Sequence, residues 1–346
     1  MLSIPQDIPD FALSSQLDNF LISADRPVTL LLEQGDTVIL QETYTPDAKN
    51  LIRILDLFSL MEPYLLAEPL LSFSYTLSAS EEETLSKTFT VLLCRPYVPC
   101  TANEFVMNYF LSTLAGRNKV TALGRSEILY LTTGALNSGE TSIGVTAECV
   151  FVDEQNQLLY FTYELDSVKD YGIRAIDASP SRFTQPGYQL LRYTITAGTR
   201  QQTFLVNQEQ PDFIGVKFRN SFGVAETISF AGGESVEPEL TRNASYFSGQ
   251  YKTYYVDEQR KHTLNTGYVP ESMFALVDDI ARATEVWLID EYGDIPITVL
   301  ESETKRDDAL DGMFSFTITY VLASRCQQRL RLLPAIFDDT FDDTYN

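Results

Sequence analysis

The chain has 346 residues, 44% of them hydrophobic, which is enough for two or three packed cores and too many for a disordered polymer. It carries 48 Asp and Glu against 25 Lys and Arg, a formal net charge of −23. That balance argues against a nucleic-acid backbone or an anionic membrane surface as partner, since both are held by clustered Lys and Arg.

The N-terminus, Met-Leu-Ser-Ile-Pro-Gln-Asp, lacks the basic-then-apolar pattern of an export signal, so a cytoplasmic site of synthesis is expected. Apolar runs such as residues 28–32 are too short to cross a bilayer. Cys94, Cys100, Cys149 and Cys326 have no Cys-x-x-Cys spacing, and all four are expected as reduced thiols.

Residues 1–95 read mostly as strands. Residues 27–44 form a hairpin turning at Gln34-Gly35-Asp36, and residues 51–61 are an apolar stretch suited to a strand and then a short helix. Residues 70–78 alternate around Phe73 and Tyr75, and residues 87–94 close a small sandwich. Pro96-Tyr-Val-Pro99 marks a boundary, because proline cannot continue a central strand. A short helix is expected within 104–115. Hairpins follow at 143–165 and 189–206, and a third at 211–230 is expected to close a second sandwich.

After Gly232-Gly233-Glu234 comes a strand at 251–257. A helix starts near Pro270 and Ser272 and runs to about Ala283, and strands follow at 285–289, 295–300 and 314–322. The expected fold is mainly β: tandem β-sandwich (Ig-like) domains at 1–95 and 96–235, then a smaller α+β domain at 236–346 with an acidic tail.

No catalytic set is visible. A Ser or Cys triad would have to use His262, the one histidine, whose setting in Gln259-Arg-Lys-His-Thr suggests a solvated turn or strand edge. One histidine and four scattered cysteines do not make a zinc site, and no phosphate-binding glycine motif occurs. Asp153/Glu154, Asp257/Glu258, Asp290/Glu291 and Asp307/Asp308 are placed in turns, where acidic residues are ordinarily solvated. A carboxylate-based glycosidase pair stays open by inventory, and Asp307-Asp308-Ala-Leu-Asp311-Gly312 is the nearest approach to a calcium loop. Asn243-Ala-Ser245 matches a glycosylation sequon. No cofactor or metal is expected.

Two groups are candidates for binding. The 211–230 hairpin carries Arg219, Asn220 and Glu226 beside a turn that needs positive φ at Gly223, with Arg219 and Glu226 expected to pair across the strands. Tyr246, Tyr251, Tyr254 and Tyr255, with Phe247, form the densest aromatic cluster. It reads as a half-buried strand, a sugar-stacking platform or a protein interface. The tail repeats Phe337-Asp-Asp-Thr as Phe341-Asp-Asp-Thr, and reads as a disordered acidic end or a docking peptide.

Tandem β domains, an acidic surface and no catalytic set resemble structural proteins of phage tails and baseplates, including those of prophages. The matching residues are Val216-Lys-Phe-Arg-Asn-Ser-Phe-Gly-Val-Ala-Glu226 with Phe230, and Ile295-Pro-Ile-Thr-Val299 with Phe316-Thr-Ile-Thr-Tyr320 and Ala323. The resemblance covers the last two-thirds of the chain. It implies a non-enzymatic assembly role among other structural subunits, in a homo-oligomer, with the protein ending in a virion or phage-like particle. The alternative is a module binding a glycan or a surface protein.

Overall fold

In the computed structural model, residues 2–17, 20–80, 83–132, 142–168, 172–208, 213–290, 293–306 and 313–324 are described. Cys326, Glu291, the 307–312 acidic loop and the 337–345 tail lie outside them.

The chain is mainly β, as expected, in tandem β-sandwich units followed by a unit that adds a helix to a sheet. The first unit contains β1 (Ser3–Gln6), β2 (Phe11–Leu13), β3 (Phe20–Ser23), β4 (Val28–Gln34), β5 (Thr37–Tyr44), β6 (Leu51–Ile54), α1 (Leu57–Ala67), β7 (Leu70–Ser80) and β8 (Glu83–Leu92). A β1-β3-β6 sheet and a β2-β8-β7-β4-β5 sheet share one core, which includes Phe20, Leu30, Met61, Phe73 and Phe89. In β4 the buried residues Val28, Leu30 and Leu32 alternate with more exposed ones, the period-2 pattern of a strand with one face on the core.

The link to the second unit is α2 (Ala102–Asn108), shorter than the sequence suggests. Thr101 Oγ1 caps it by accepting from Glu104 N at 3.3 Å. The second unit has β9 (Lys119–Ala122), β10 (Ile128–Thr132), β11 (Ile143–Val152), β12 (Leu158–Val168), β13 (Ile173–Asp177), β14 (Gln189–Ala197) and β15 (Arg200–Asn207). A β12-β11-β14-β15-β9 sheet and a β10-β13 ribbon enclose Phe151, Phe183, Tyr193 and Phe204. Asp153, in the β11–β12 turn, accepts from Gln155 N at 2.9 Å and Gln157 N at 2.7 Å, so this acidic turn residue holds its own loop.

The third unit is one seven-stranded sheet in the order β17-β16-β20-β21-β22-β19-β18. It is built from β16 (Ile214–Arg219), β17 (Ala225–Phe230), β18 (Glu234–Phe247), β19 (Gln250–Val269), β20 (Val286–Leu288), β21 (Ile295–Arg306) and β22 (Phe314–Leu322), with α3 (Phe274–Arg282). Leu276, Val277 and Ile280 of α3 pack with Phe218, Phe230, Leu264 and Phe316.

This corrects one expectation. The β16–β17 hairpin does not close the second sandwich: Val216, Lys217 and Phe218 pair with Leu288, Trp287 and Val286 of β20. Either neighbouring sheet satisfies the same apolar alternation, so the local pattern does not choose the partner.

Candidate functional site

The two groups of candidate residues lie in opposite settings. The β16–β17 turn is buried where the units meet. Asn220 O accepts from Gly223 N at 2.9 Å, and Asn220 Oδ1 accepts from Phe222 N at 2.9 Å and Val224 N at 3.2 Å. Gly223 has φ +74°, the left-handed conformation the sequence called for. Phe222 stacks on Phe105 of α2 with ring centroids 5.3 Å apart. A small shared core there joins Phe11, Leu13 and Leu92 of the first unit to Phe105, Val106, Leu111, Phe222 and Val224.

The expected Arg219–Glu226 pair does not form. Arg219 lies opposite Ala225, and Glu226 lies opposite Phe218, so the two side chains leave opposite faces of the ribbon. Arg219 instead reaches Glu285, Nε to Oε2 at 3.3 Å, and donates to the Leu66 carbonyl. Glu226, 5% exposed, accepts from Ser112 Oγ at 2.8 Å, Thr113 Oγ1 at 3.2 Å and Asn220 Nδ2 at 2.9 Å. Asn220 is 3% exposed. Asn220 and Glu226 thus hold the chain's own backbone and side chains together and present nothing to a partner.

Beside this turn, Ser221 donates to Asp279 of α3 through its amide, at 2.9 Å, and through its hydroxyl. Burial, chiefly, holds the Asp279 carboxyl above the usual carboxylate range; Glu226 adds to the effect and the Ser221 hydrogen bonds oppose it. A cleft of about 520 Å³ opens here, lined by Tyr97, Phe105, Tyr109, Phe222, Asp278 and Arg282 among others. Cys94, Cys100 and Cys149 are free thiols, and burial pushes Cys94 and Cys149 up to about 12. Among the described residues, no group of three His, Cys, Asp or Glu side chains is placed to hold a metal.

The tyrosines occupy the reverse environment. β18 and β19 form an arm that outruns the rest of the sheet. All of β18 is exposed, and so is β19 through Asp257. From residue 250 to 261 the only partner of β19 among the described residues is β18, because β22 first meets it at His262. At about 3.3 Å per residue, the 12 residues from Val236 to Phe247 reach about 40 Å from the sheet. Ser248 and Gly249, both at positive φ, make the two-residue turn that matches strand twist.

The register sorts the arm into two faces. Val236, Pro238, Leu240, Arg242, Ala244 and Tyr246 share one face with Tyr251, Thr253, Val256, Glu258, Arg260 and His262. The other carries Ser235, Glu237, Glu239, Thr241, Asn243, Ser245 and the exposed Phe247 opposite Gln250, Lys252, Tyr255, Asp257, Gln259 and Lys261. The apolar face continues that of Leu264 and Tyr320, which are buried in the sheet core. Tyr246 and Tyr251 meet edge to face with centroids 5.1 Å apart, and Tyr251 is 79% exposed. Tyr254 sits at a bulge and Tyr255 lies across from Asn243 on the polar face, so the structure divides the four tyrosines between settings.

The sequence reading missed β18 entirely, although its alternation of Val236, Leu240, Ala244 and Tyr246 and the Ser248-Gly249 dipeptide are hairpin signals. It also placed Asp257 and Glu258 in a turn, whereas both lie within β19. His262 is likewise mid-strand and mostly covered. Its Nδ1 lies 2.9 Å from Glu234 Oε1, and its ring stacks on Tyr320 at 5.0 Å.

No family model matches the chain, and no curated protein matches it. Among solved structures it is similar to two plexin A4 extracellular regions, at 11% identity with a TM-score of 0.21 and at 10% with 0.22. It is also similar to a Salmonella alpha-2-macroglobulin, at 10% identity with a TM-score of 0.21. These matches take in 94–95% of this chain but only 40%, 31% and 20% of those chains respectively. Scores this low carry no inference about activity or partners. Among the described residues no helix is long and apolar enough to cross a membrane.

Proposed function

We propose that this protein is a non-enzymatic assembly subunit that uses the β18–β19 arm to join copies of itself within a larger particle. A phage-tail-like particle, as the sequence resemblance implies, is the setting in view. The observation behind this reading is the exposed apolar face of the arm. A two-stranded ribbon is marginal alone in water, and alternation with one apolar face is the pattern of a sheet that something covers.

A second copy is the occupant that fits. Val236, Leu240, Val256 and Tyr251 offer apolar surface, and Arg260 and Glu258 on the same side neutralise each other, so two copies of the face can meet with little charge between them apart from Arg242. Pro238 and the charges along β18 suit an edge that must avoid indiscriminate strand pairing. One arm face, roughly 40 by 10 Å, buries about 400 Å² per partner, half of a standard interface. Arms therefore act several at a time, in a ring or particle, rather than as an isolated dimer.

Sedimentation velocity over a concentration series tests this. The wild type is expected to sediment as a higher oligomer, and Leu240→Glu with Val256→Glu, both at exposed positions, as a monomer. Identical monomeric behaviour of the two proteins would sink the proposal. The rival reading, a sugar-stacking surface at Tyr246 and Tyr251, predicts a monomer that binds on a glycan array and loses binding in Tyr251→Ala.

A further inference from the structure

The loop between β9 and β10 buries a cation, Arg125, that no carboxylate among the described residues meets in an ion pair. Arg125 is 8% exposed, and among the described residues its guanidinium makes no hydrogen bond or ion pair; the buried Nε has no acceptor. The Phe213 ring lies 4.9 Å from the guanidinium carbon, and Glu127 attracts the cation without a direct contact. Glu127, two residues on, is already committed. Its Oε2 accepts from Lys119 Nζ at 2.6 Å, and that same Nζ donates to the Thr227 carbonyl at 2.6 Å. Lys119, Arg125 and Glu127 are thus three buried charges that sum to plus one. A guanidinium does not shed its proton, and an uncompensated buried charge costs several kcal/mol.

The same three side chains line a cavity of about 180 Å³ between the second and third units, together with Asn207, Ser229 and Thr266. At about 30 Å³ per water, that space admits an ion of about five heavy atoms. Tyr268, which also lines it, is largely exposed, so the cavity lies close to solvent.

We propose that this cavity binds a small oxyanion, a carboxylate or a phosphate, on the Arg125 guanidinium. Two parallel N–H donors on a planar fork suit two oxygens of either group, and the hydroxyl of Ser229, which also lines the cavity, adds a polar partner. A carboxylate brings the sum of these three charges to zero and a phosphate takes it below zero; either one opposes the Arg125 charge and stabilises the contact of β9 with β17 that Lys119 already makes. The carboxylate comes either from a free ion or from an acidic side chain of a neighbouring copy.

The test uses the full chain, titrated with sodium phosphate and with sodium acetate against sodium chloride at equal ionic strength. Thermal melts and titration calorimetry are the readouts. A saturable rise in Tm, about 2 °C at tenfold excess over Kd, is expected for at least one of the two ions. Arg125→Met should lose the rise while melting, without anion, no lower than the wild type. Arg125→Lys, which keeps the charge but not the fork, should bind more weakly. If acetate also dissociates wild-type oligomers, the natural occupant is a neighbour's carboxylate; if it binds without doing so, the occupant is a free ion. Absence of any saturable rise over chloride in the wild type, which needs no variant to fold, overturns the site. So does an equal rise in Arg125→Met.

Discussion

His262 shows how far a residue's neighbours in space depart from its neighbours in sequence. Gln259, Arg260 and Lys261 suggest water, yet the ring stacks on Tyr320 and its Nδ1 meets Glu234. A stacked pair is worth about 0.5–1.5 kcal/mol and a hydrogen bond about 1 kcal/mol, so His262→Ala should cost about 1–2 kcal/mol in denaturant melts. A cost below about 0.5 kcal/mol, the figure for an ordinary surface site, would mean that the stack contributes nothing. Arg219 makes the same point: its side chain leaves the ribbon face away from Glu226 and finds Glu285, a residue 66 positions later, so the cross-strand register owes nothing to it.

At the scale of the element, the β16–β17 turn does more than reverse the chain. A Cβ on Gly223 would lie 2.8 Å from Pro69 Cγ and 3.0 Å from Leu93 Cδ2, both in the first unit. The backbone strain at positive φ, near 1 kcal/mol, therefore adds to an overpacking term of about 1–3 kcal/mol. Gly223→Ala should destabilise the protein by about 2–4 kcal/mol. Limited proteolysis of that variant should cut first near the 93–101 link, because the turn that loosens is seated on the first unit. Cleavage confined to the β18–β19 arm, with an unchanged melt, would contradict this. The arm itself has no such seat, and its exposure is why it is offered as the assembling part.

For the whole molecule, the units meet through polar groups, Arg219 on the Leu66 carbonyl and Lys119 on the Thr227 carbonyl, as well as through a small apolar core, and the third unit has a buried carboxyl of its own. Asp279 of α3 is held by Ser221 and carries a raised pKa, so the folded state binds its proton more tightly than the unfolded chain does. The stability tied to that proton is present at low pH and is lost as pH rises through the folded value. Relative to Asp279→Asn, the wild type should therefore gain stability as pH falls from 7 toward 4. The difference between the two melting temperatures across that range isolates the group from general acid unfolding. A difference that stays flat, or that moves the other way, would show that Asp279 does not take up a proton on folding.

The strands whose faces alternate, such as the one with Val28, Leu30 and Leu32, are legible in the residue order alone. So are the helix start near Pro270 and the turn that needs Gly223, because each follows from steric and solvation rules acting over a few residues. Which sheet received the β16–β17 hairpin was settled by the packing of the whole chain, since strand pairing between distant segments is not encoded in either strand alone. The same packing leaves Asn220 and Glu226 buried while the tyrosines of β18 and β19 stand in water. The alternation in the arm is the same signal that elsewhere means a core; whether a partner face lies opposite depends on where the rest of the chain ends up. Arg125 was invisible for the same reason. In Leu-Gly-Arg-Ser-Glu it looks like any loop cation, and it becomes a buried charge with no hydrogen bond or ion pair among the described residues only where two units close over it.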